Sequence, residues 1–310
     1  MLTLEYSDVK SLRFYNEIKN KISGCIDKYN GSIVSPEEIK EIILANPEDL
    51  INLNNQLIVQ VIEDFDQNEF ETYLKLNKKS RAQNSKYHNK IKEINEVLNY
   101  ARIVGSDYFL ADLLNQATCI HCNRNYTITI GNKNSKIVRP EYDHWFSKSK
   151  YPLLSISFYN LIPSCSSCNK KRSNKNFQLD THLNPYKMTD DEKKFSFSFR
   201  KTNFIENNVI LKINSKEDIS KQKIENHFRD LCLNEIYNKH SNLELRDLLD
   251  LRYKYSENYI DLLINTLKNN LSKEEVYRLV FGIEINEIDF HKRPLSKFKK
   301  DIINELLNIK

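Results

Sequence analysis

Apolar residues recur at spacings of three and four toward both ends of the chain, and this rhythm breaks in the middle. Over 8–29, Leu12, Tyr15, Ile18, Ile22 and Ile26 fall along one side of a helix. Ser35-Pro36-Glu37-Glu38 reads as a helix start, with Ser as cap, Pro in the first turn and Glu three residues after the cap. Residues 84–104 predict a charged helix with Ile91, Ile94, Val97 and Leu98 on its apolar side, broken at Gly105-Ser106-Asp107. From about 216 the helical spacing resumes. Tyr259, Leu262, Leu263 and Leu267 make one face, and Ser272-Lys273-Glu274-Glu275 is a second capping box. A last helix near 296–309 carries Phe298, Ile302, Leu306 and Leu307.

The intervening stretch has short β-prone runs. Residues 126–130, Tyr-Thr-Ile-Thr-Ile, precede a turn-like Gly131-Asn132-Lys133-Asn134. Two further strands are expected near 195–199 and 209–213. The pattern predicts an α+β fold in three parts: a helical region over 1–116, a compact module over 117–187, and strands followed by helices over 188–310.

Length and composition suit a water-soluble chain: 310 residues, 40% hydrophobic and 29% charged, with no apolar run long enough to span a bilayer. Met-Leu-Thr-Leu-Glu-Tyr-Ser-Asp lacks both the basic start and the apolar stretch of a signal peptide, so a cytoplasmic protein is expected. The net charge of +5 is modest but uneven. Residues 117–187 hold 11 Lys/Arg against 3 Asp/Glu, whereas the rest of the chain holds 36 against 39. A basic middle segment is the electrostatic footprint of a polyanion partner.

That segment also holds four of the six cysteines. Cys119-Ile120-His121-Cys122 and Cys165-Ser166-Ser167-Cys168 are two Cys-x-x-Cys knuckles separated by 42 residues. Each knuckle presents two sulfurs on one side of a turn, and two knuckles close a tetrahedral, structural zinc site. His121, inside the first knuckle, is expected to face solvent. Cys25 and Cys232 are expected to be small core residues.

Between and after the knuckles lie Asp143-His144, Asn160 in Tyr-Asn-Leu-Ile-Pro, and Asn169 directly after the last cysteine, followed by Lys170, Lys171 and Arg172. Taken in order over about 119–175, this set resembles the HNH endonuclease family. The resemblance implies a small ββα-metal module with a four-cysteine zinc site, embedded between largely helical N- and C-terminal regions. It implies that Asp143-His144 ends a first strand, that 160–163 opens a second, and that a helix carries Asn169. By the same resemblance, His144 is the general base, Asn160 orients its imidazole, and Asp143 and Asn169 ligate a catalytic Mg²⁺ or Mn²⁺. His182 and Asn174 are rivals for the role of Asn169. Phosphodiester hydrolysis needs such a set: a base for the water, and positive charge on the phosphate and the leaving oxygen.

Lys170, Lys171, Arg172 and Lys175 near that helix are candidate phosphate contacts, as are Lys148, Lys150 and Arg124. Trp145 is expected to pack within the module. None of the five glycines forms a G-x-x-x-x-G-K phosphate loop.

The expected substrate is nucleic acid, with double-stranded DNA preferred. A cysteine-bearing HNH module between helical flanks is similar to HNH effectors of bacterial anti-phage systems such as Septu and some retron-associated proteins, which implies an ABC- or SMC-like ATPase partner. Two alternatives stay open: a stand-alone restriction-like HNH enzyme, and a non-catalytic zinc-stabilised nucleic-acid-binding module.

Overall fold

The computed structural model describes residues 1–26, 34–105, 108–132, 134–173, 175–201, 207–254, 262, 265–266 and 271–307. Tyr259, Leu263, Leu267 and Asn174 lie outside the described residues. The chain is mixed: helices occupy both ends, and among the described residues three two-stranded antiparallel ribbons lie between them.

The N-terminal region is helical, as the spacing predicts, but its first buried stripe differs. In the helix Asp8–Ile26, Phe14, Ile18 and Ile22 are buried, whereas Leu12 is 46% exposed. At 100° per residue, Leu12 lies about 120° round the helix from Ile18. The i, i+4 series 14-18-22 is therefore the true inner face. The predicted capping box of Pro36–Leu44 forms: Ser35 Oγ accepts from the Glu38 amide at 3.2 Å, and the Glu38 carboxylate accepts from the Ser35 amide at 2.7 Å. The single helix expected over 84–104 is two, Ser85–Val97 and Tyr100–Ile103. Asn99 divides them, because its side chain accepts from the Arg102 amide and caps a new helix.

The run 126–130 is mostly unpaired. It contributes one bridge, Thr118 to Tyr126, and the short strand β1 (Ile130–Gly131), which pairs with β2 (Lys136–Val138). Tyr126, Ile128 and Ile130 stay exposed, so no burial rewards a longer ladder.

The central ribbon pairs β3 (Glu141–His144) with β4 (Leu161–Ser164), in the register Glu141↔Ser164, Tyr142↔Pro163, Asp143↔Ile162 and His144↔Leu161. The connection between them is not extended. It folds through the 3₁₀ turns Pro152–Ile156 and Phe158–Asn160, all of whose residues are buried. One residue after β4, the helix Ser166–Arg172 begins and packs against β3.

The hydrophobic core of this central part is continuous with both flanks. Tyr6 stacks on Tyr159 at 4.6 Å, and Phe14 meets Phe158 at 5.6 Å. On the other side, β5 (Phe195–Lys201) and β6 (Asn207–Ile213) form the two strands expected there. They pack with the terminal helix Ser296–Leu306, and Phe197, Tyr237 and Phe298 share one aromatic cluster. The second predicted capping box, Ser272 with Glu275, also forms. Among the described residues no helix is long and apolar enough to cross a membrane.

Candidate metal centre and active-site cleft

The two knuckles meet. Cys119, Cys122, Cys165 and Cys168 are all buried, and their sulfurs lie within 4.8 Å of one another. The first knuckle is shaped by its backbone: the Asn123 amide donates to the Cys119 carbonyl at 2.7 Å, and the Arg124 amide approaches Cys122 Sγ at 3.4 Å. Asn123 adopts φ +45°, a left-handed conformation that Asn tolerates better than most residues. Its side-chain amide then donates to Thr118 Oγ1 and the Phe290 carbonyl, each at 2.9 Å, tying the knuckle to the C-terminal region. The Ile120 amide donates to the Pro163 carbonyl of β4 at 3.2 Å, tying it also to the central ribbon. Burial pushes the Cys119 thiol up, while hydrogen bonding with Cys119 holds the Cys122 thiol below its ordinary value. Four buried sulfurs this close fit a zinc ion, whose charge offsets their mutual repulsion.

A cleft of about 440 Å³ opens beside the central ribbon. Glu141, Asp143, His144 and Asn169 line it, with Arg139, Lys148, Arg172 and Tyr100 around them. Successive residues on a strand alternate faces, so Glu141 and Asp143 of β3 share the face toward the helix that carries Asn169. Asn169 Nδ2 donates to Glu141 Oε2 at 2.7 Å. These carboxylate and amide oxygens are hard donors of the kind that hold Mg²⁺ or Mn²⁺.

His144 is almost fully buried, and its Nε2 lies 2.9 Å from the Ser155 carbonyl oxygen. A carbonyl only accepts, so Nε2 carries the proton and Nδ1 is the basic nitrogen. Tyr100 packs edge-on against the ring at 4.7 Å. Burial pulls the imidazole down to about 4, so it is neutral at pH 7.

Several residues sit otherwise than the sequence suggests. Asn160 does not bond the imidazole. Its Oδ1 accepts from the Phe146 amide at 2.6 Å, and its Nδ2 donates to the carbonyls of Phe146 and Leu154 at 3.1 and 2.9 Å. It fixes the loop whose next residue, Ser155, orients the ring. His121 does not face solvent: it is fully buried, with Nε2 3.0 Å from Asp143 Oδ2. The knuckle turns inward over β3, which sequence spacing does not show.

Arg172 is not an exposed phosphate contact. Its guanidinium is buried, donates to the Trp145 and Ser173 carbonyls, and lies 3.5 Å from Asp143 Oδ1. Lys150 pairs with Glu71 at 2.9 Å, and Lys175 reaches the carbonyl of Asp230. Arg124 is half-buried behind the knuckle, outside the cleft lining. Lys148, Lys170 and Lys171 are exposed, and Lys148 borders the cleft. His182 is buried away from the cleft, stacked on Phe177 at 4.0 Å and paired with Asp230 at 3.1 Å. Trp145 packs inside, as expected, its indole N–H donating to the Leu183 carbonyl at 3.0 Å. Cys232 is only partly buried, at a left-handed position.

Glu141, Arg139 and Tyr100 are cleft residues that sequence reading missed. The i, i+2 spacing from Asp143 is a usable signal for Glu141. Tyr100 arrives from the helical flank by long-range packing and leaves no local mark.

No family model, curated protein or solved structure matches the chain.

Proposed function

We propose that the protein is a metal-dependent endonuclease of the HNH type, hydrolysing phosphodiester bonds in nucleic acid, with duplex DNA as the preferred substrate. The observation that carries this reading is the cleft itself: a neutral histidine with a fixed tautomer beside three oxygen-bearing side chains, Glu141, Asp143 and Asn169. The strand–strand–helix order of β3, β4 and Ser166–Arg172, with a four-cysteine cluster at its base, supports the family reading.

In this reading His144 Nδ1 takes a proton from the attacking water, while the Ser155 carbonyl holds the ring against rotation. Asp143 and the Asn169 carbonyl, with Glu141 beside them, would hold the divalent cation. When bound, the cation supplies positive charge for the phosphate and the leaving 3′ oxygen. Lys148 at the cleft rim, with Lys170 and Lys171 on the following helix, would hold the backbone phosphates of the substrate. The four cysteines would carry a structural zinc that closes the module.

The reading is tested with an end-labelled DNA duplex incubated with Mg²⁺ or Mn²⁺, with and without chelator. Divalent-dependent cleavage lost in Asp143→Asn supports it. Cleavage unaffected by the chelator contradicts it.

A further inference from the structure

Besides the helix on which Cys168 directly precedes Asn169, a side-chain contact joins the cysteine centre to the cleft through His121. This residue lies between Cys119 and Cys122, so a metal held by the cysteines would fix the backbone on both sides of it. Its side chain crosses to β3, where Nε2 meets Asp143 Oδ2 at 3.0 Å with both groups almost completely buried. The carboxylate only accepts when ionised, so His121 is the donor. His121 Nδ1 has no hydrogen-bond partner among the described residues. Among the described residues Asp143 is therefore the ring's hydrogen-bond partner, and the buried His227 ring packs beside it at 5.6 Å. Arg172 approaches the other oxygen, Oδ1, at 3.5 Å. A carboxylate offers about four lone-pair positions, so these two contacts leave room for a cation on the cleft side. His121 is absent from the cleft lining and stands behind Asp143.

We propose that His121 is a positioning residue: its Nε2–H holds the Asp143 carboxylate in the orientation that binds the catalytic divalent cation, so the cysteine knuckle sets the affinity of the second metal site. The proposal rests on the metal-dependent reading above. Partners that orient a ligating carboxylate or imidazole typically change metal affinity by about 10- to 100-fold when removed.

The test is Mn²⁺ binding to the full-length, zinc-loaded chain, read from the signal of free Mn²⁺ by electron paramagnetic resonance, without reference to cleavage. Wild type, Asp143→Asn, His121→Leu and His121→Gln are compared, with zinc content and melting temperature measured for each. Wild type is expected to bind one Mn²⁺ that Asp143→Asn loses. His121→Leu is expected to weaken that site by about 10- to 100-fold at full zinc content. His121→Gln, which keeps an N–H donor at similar reach, is expected to restore most of it. If His121→Leu does not fold, His121→Asn takes its place, its amide being one bond shorter. Wild-type affinity in His121→Leu, or equal weakening in the Leu and Gln variants, overturns the proposal while leaving the metal reading intact. Absence of any Asp143-dependent Mn²⁺ site in wild type overturns the metal reading itself, and the proposal with it.

Discussion

His144 Nε2 lies 2.9 Å from the carbonyl oxygen of Ser155, and this one contact decides which nitrogen of the ring is basic. Ser155 is itself placed by its neighbour: the Leu154 carbonyl accepts from Asn160 Nδ2 at 2.9 Å. Asn160 therefore acts on the imidazole through the backbone, sixteen residues downstream of His144 in sequence but close in space.

Replacing Asn160 with Ala leaves the Phe146 amide and two carbonyls without their partner in a buried loop. A buried unsatisfied group costs about 1–3 kcal/mol, so a loss of about 3 kcal/mol in unfolding free energy is expected. Urea denaturation followed by circular dichroism measures it. A change below about 0.5 kcal/mol, the range of ordinary surface substitutions, would show that the amide does not hold this loop.

The cysteine cluster predicts one zinc per chain, measurable by elemental analysis of the purified protein. Cys165→Ser is expected to reduce zinc to well below one equivalent and to lower the melting temperature. Treatment with a strong chelator should reproduce that destabilisation in wild type. Full zinc retention in Cys165→Ser would exclude a four-cysteine site.

Stability is expected to fall on mild acidification. Burial depresses the imidazoles of His144, His182, His227, His240 and His291 below their ordinary value, and both nitrogens of His227 lack partners among the described residues. For a base held neutral in the fold, the unfolded chain binds more protons once the pH drops below about 6.5. Stability is then fully present above that value and declines as the pH falls toward the folded values. Melting temperatures between pH 7.5 and 5 should show this slope, and His227→Leu should flatten it. An unchanged slope would show that His227 does not contribute.

Two lysines close in sequence are expected to behave differently toward DNA. Lys148 is exposed at the cleft rim, whereas Lys150 is paired with Glu71. Lys148→Ala should weaken duplex binding and reduce the slope of log affinity against log salt by about one. Lys150→Ala should change that slope by less. Fluorescence anisotropy at several salt concentrations distinguishes them, and equal slopes for both variants would contradict the assignment.

Much of this arrangement was legible in the sequence because it is local. The capping boxes at Ser35 and Ser272, the strands near 195 and 209, and the pairing of the two knuckles follow from short spacings. What escaped depends on contacts across long stretches of chain. His121 turns inward because the knuckle is tied to Pro163 and to Asp143, and Arg172 is buried because Trp145 and Asp143 take its guanidinium. Neither orientation has a periodicity of its own. Leu12 and Phe14 differ for a simpler reason: both suit a helical stripe, and only the packed partner decides which one faces inward.

The most direct test of the central claim is the initial rate of supercoiled plasmid nicking in Mn²⁺ by wild type and by His144→Ala, compared at equal zinc content. General-base catalysis contributes about 10²- to 10⁴-fold, so the variant is expected to be slower by at least about 100-fold while still binding DNA. Equal rates in the two proteins would remove His144 from its role and contradict the account.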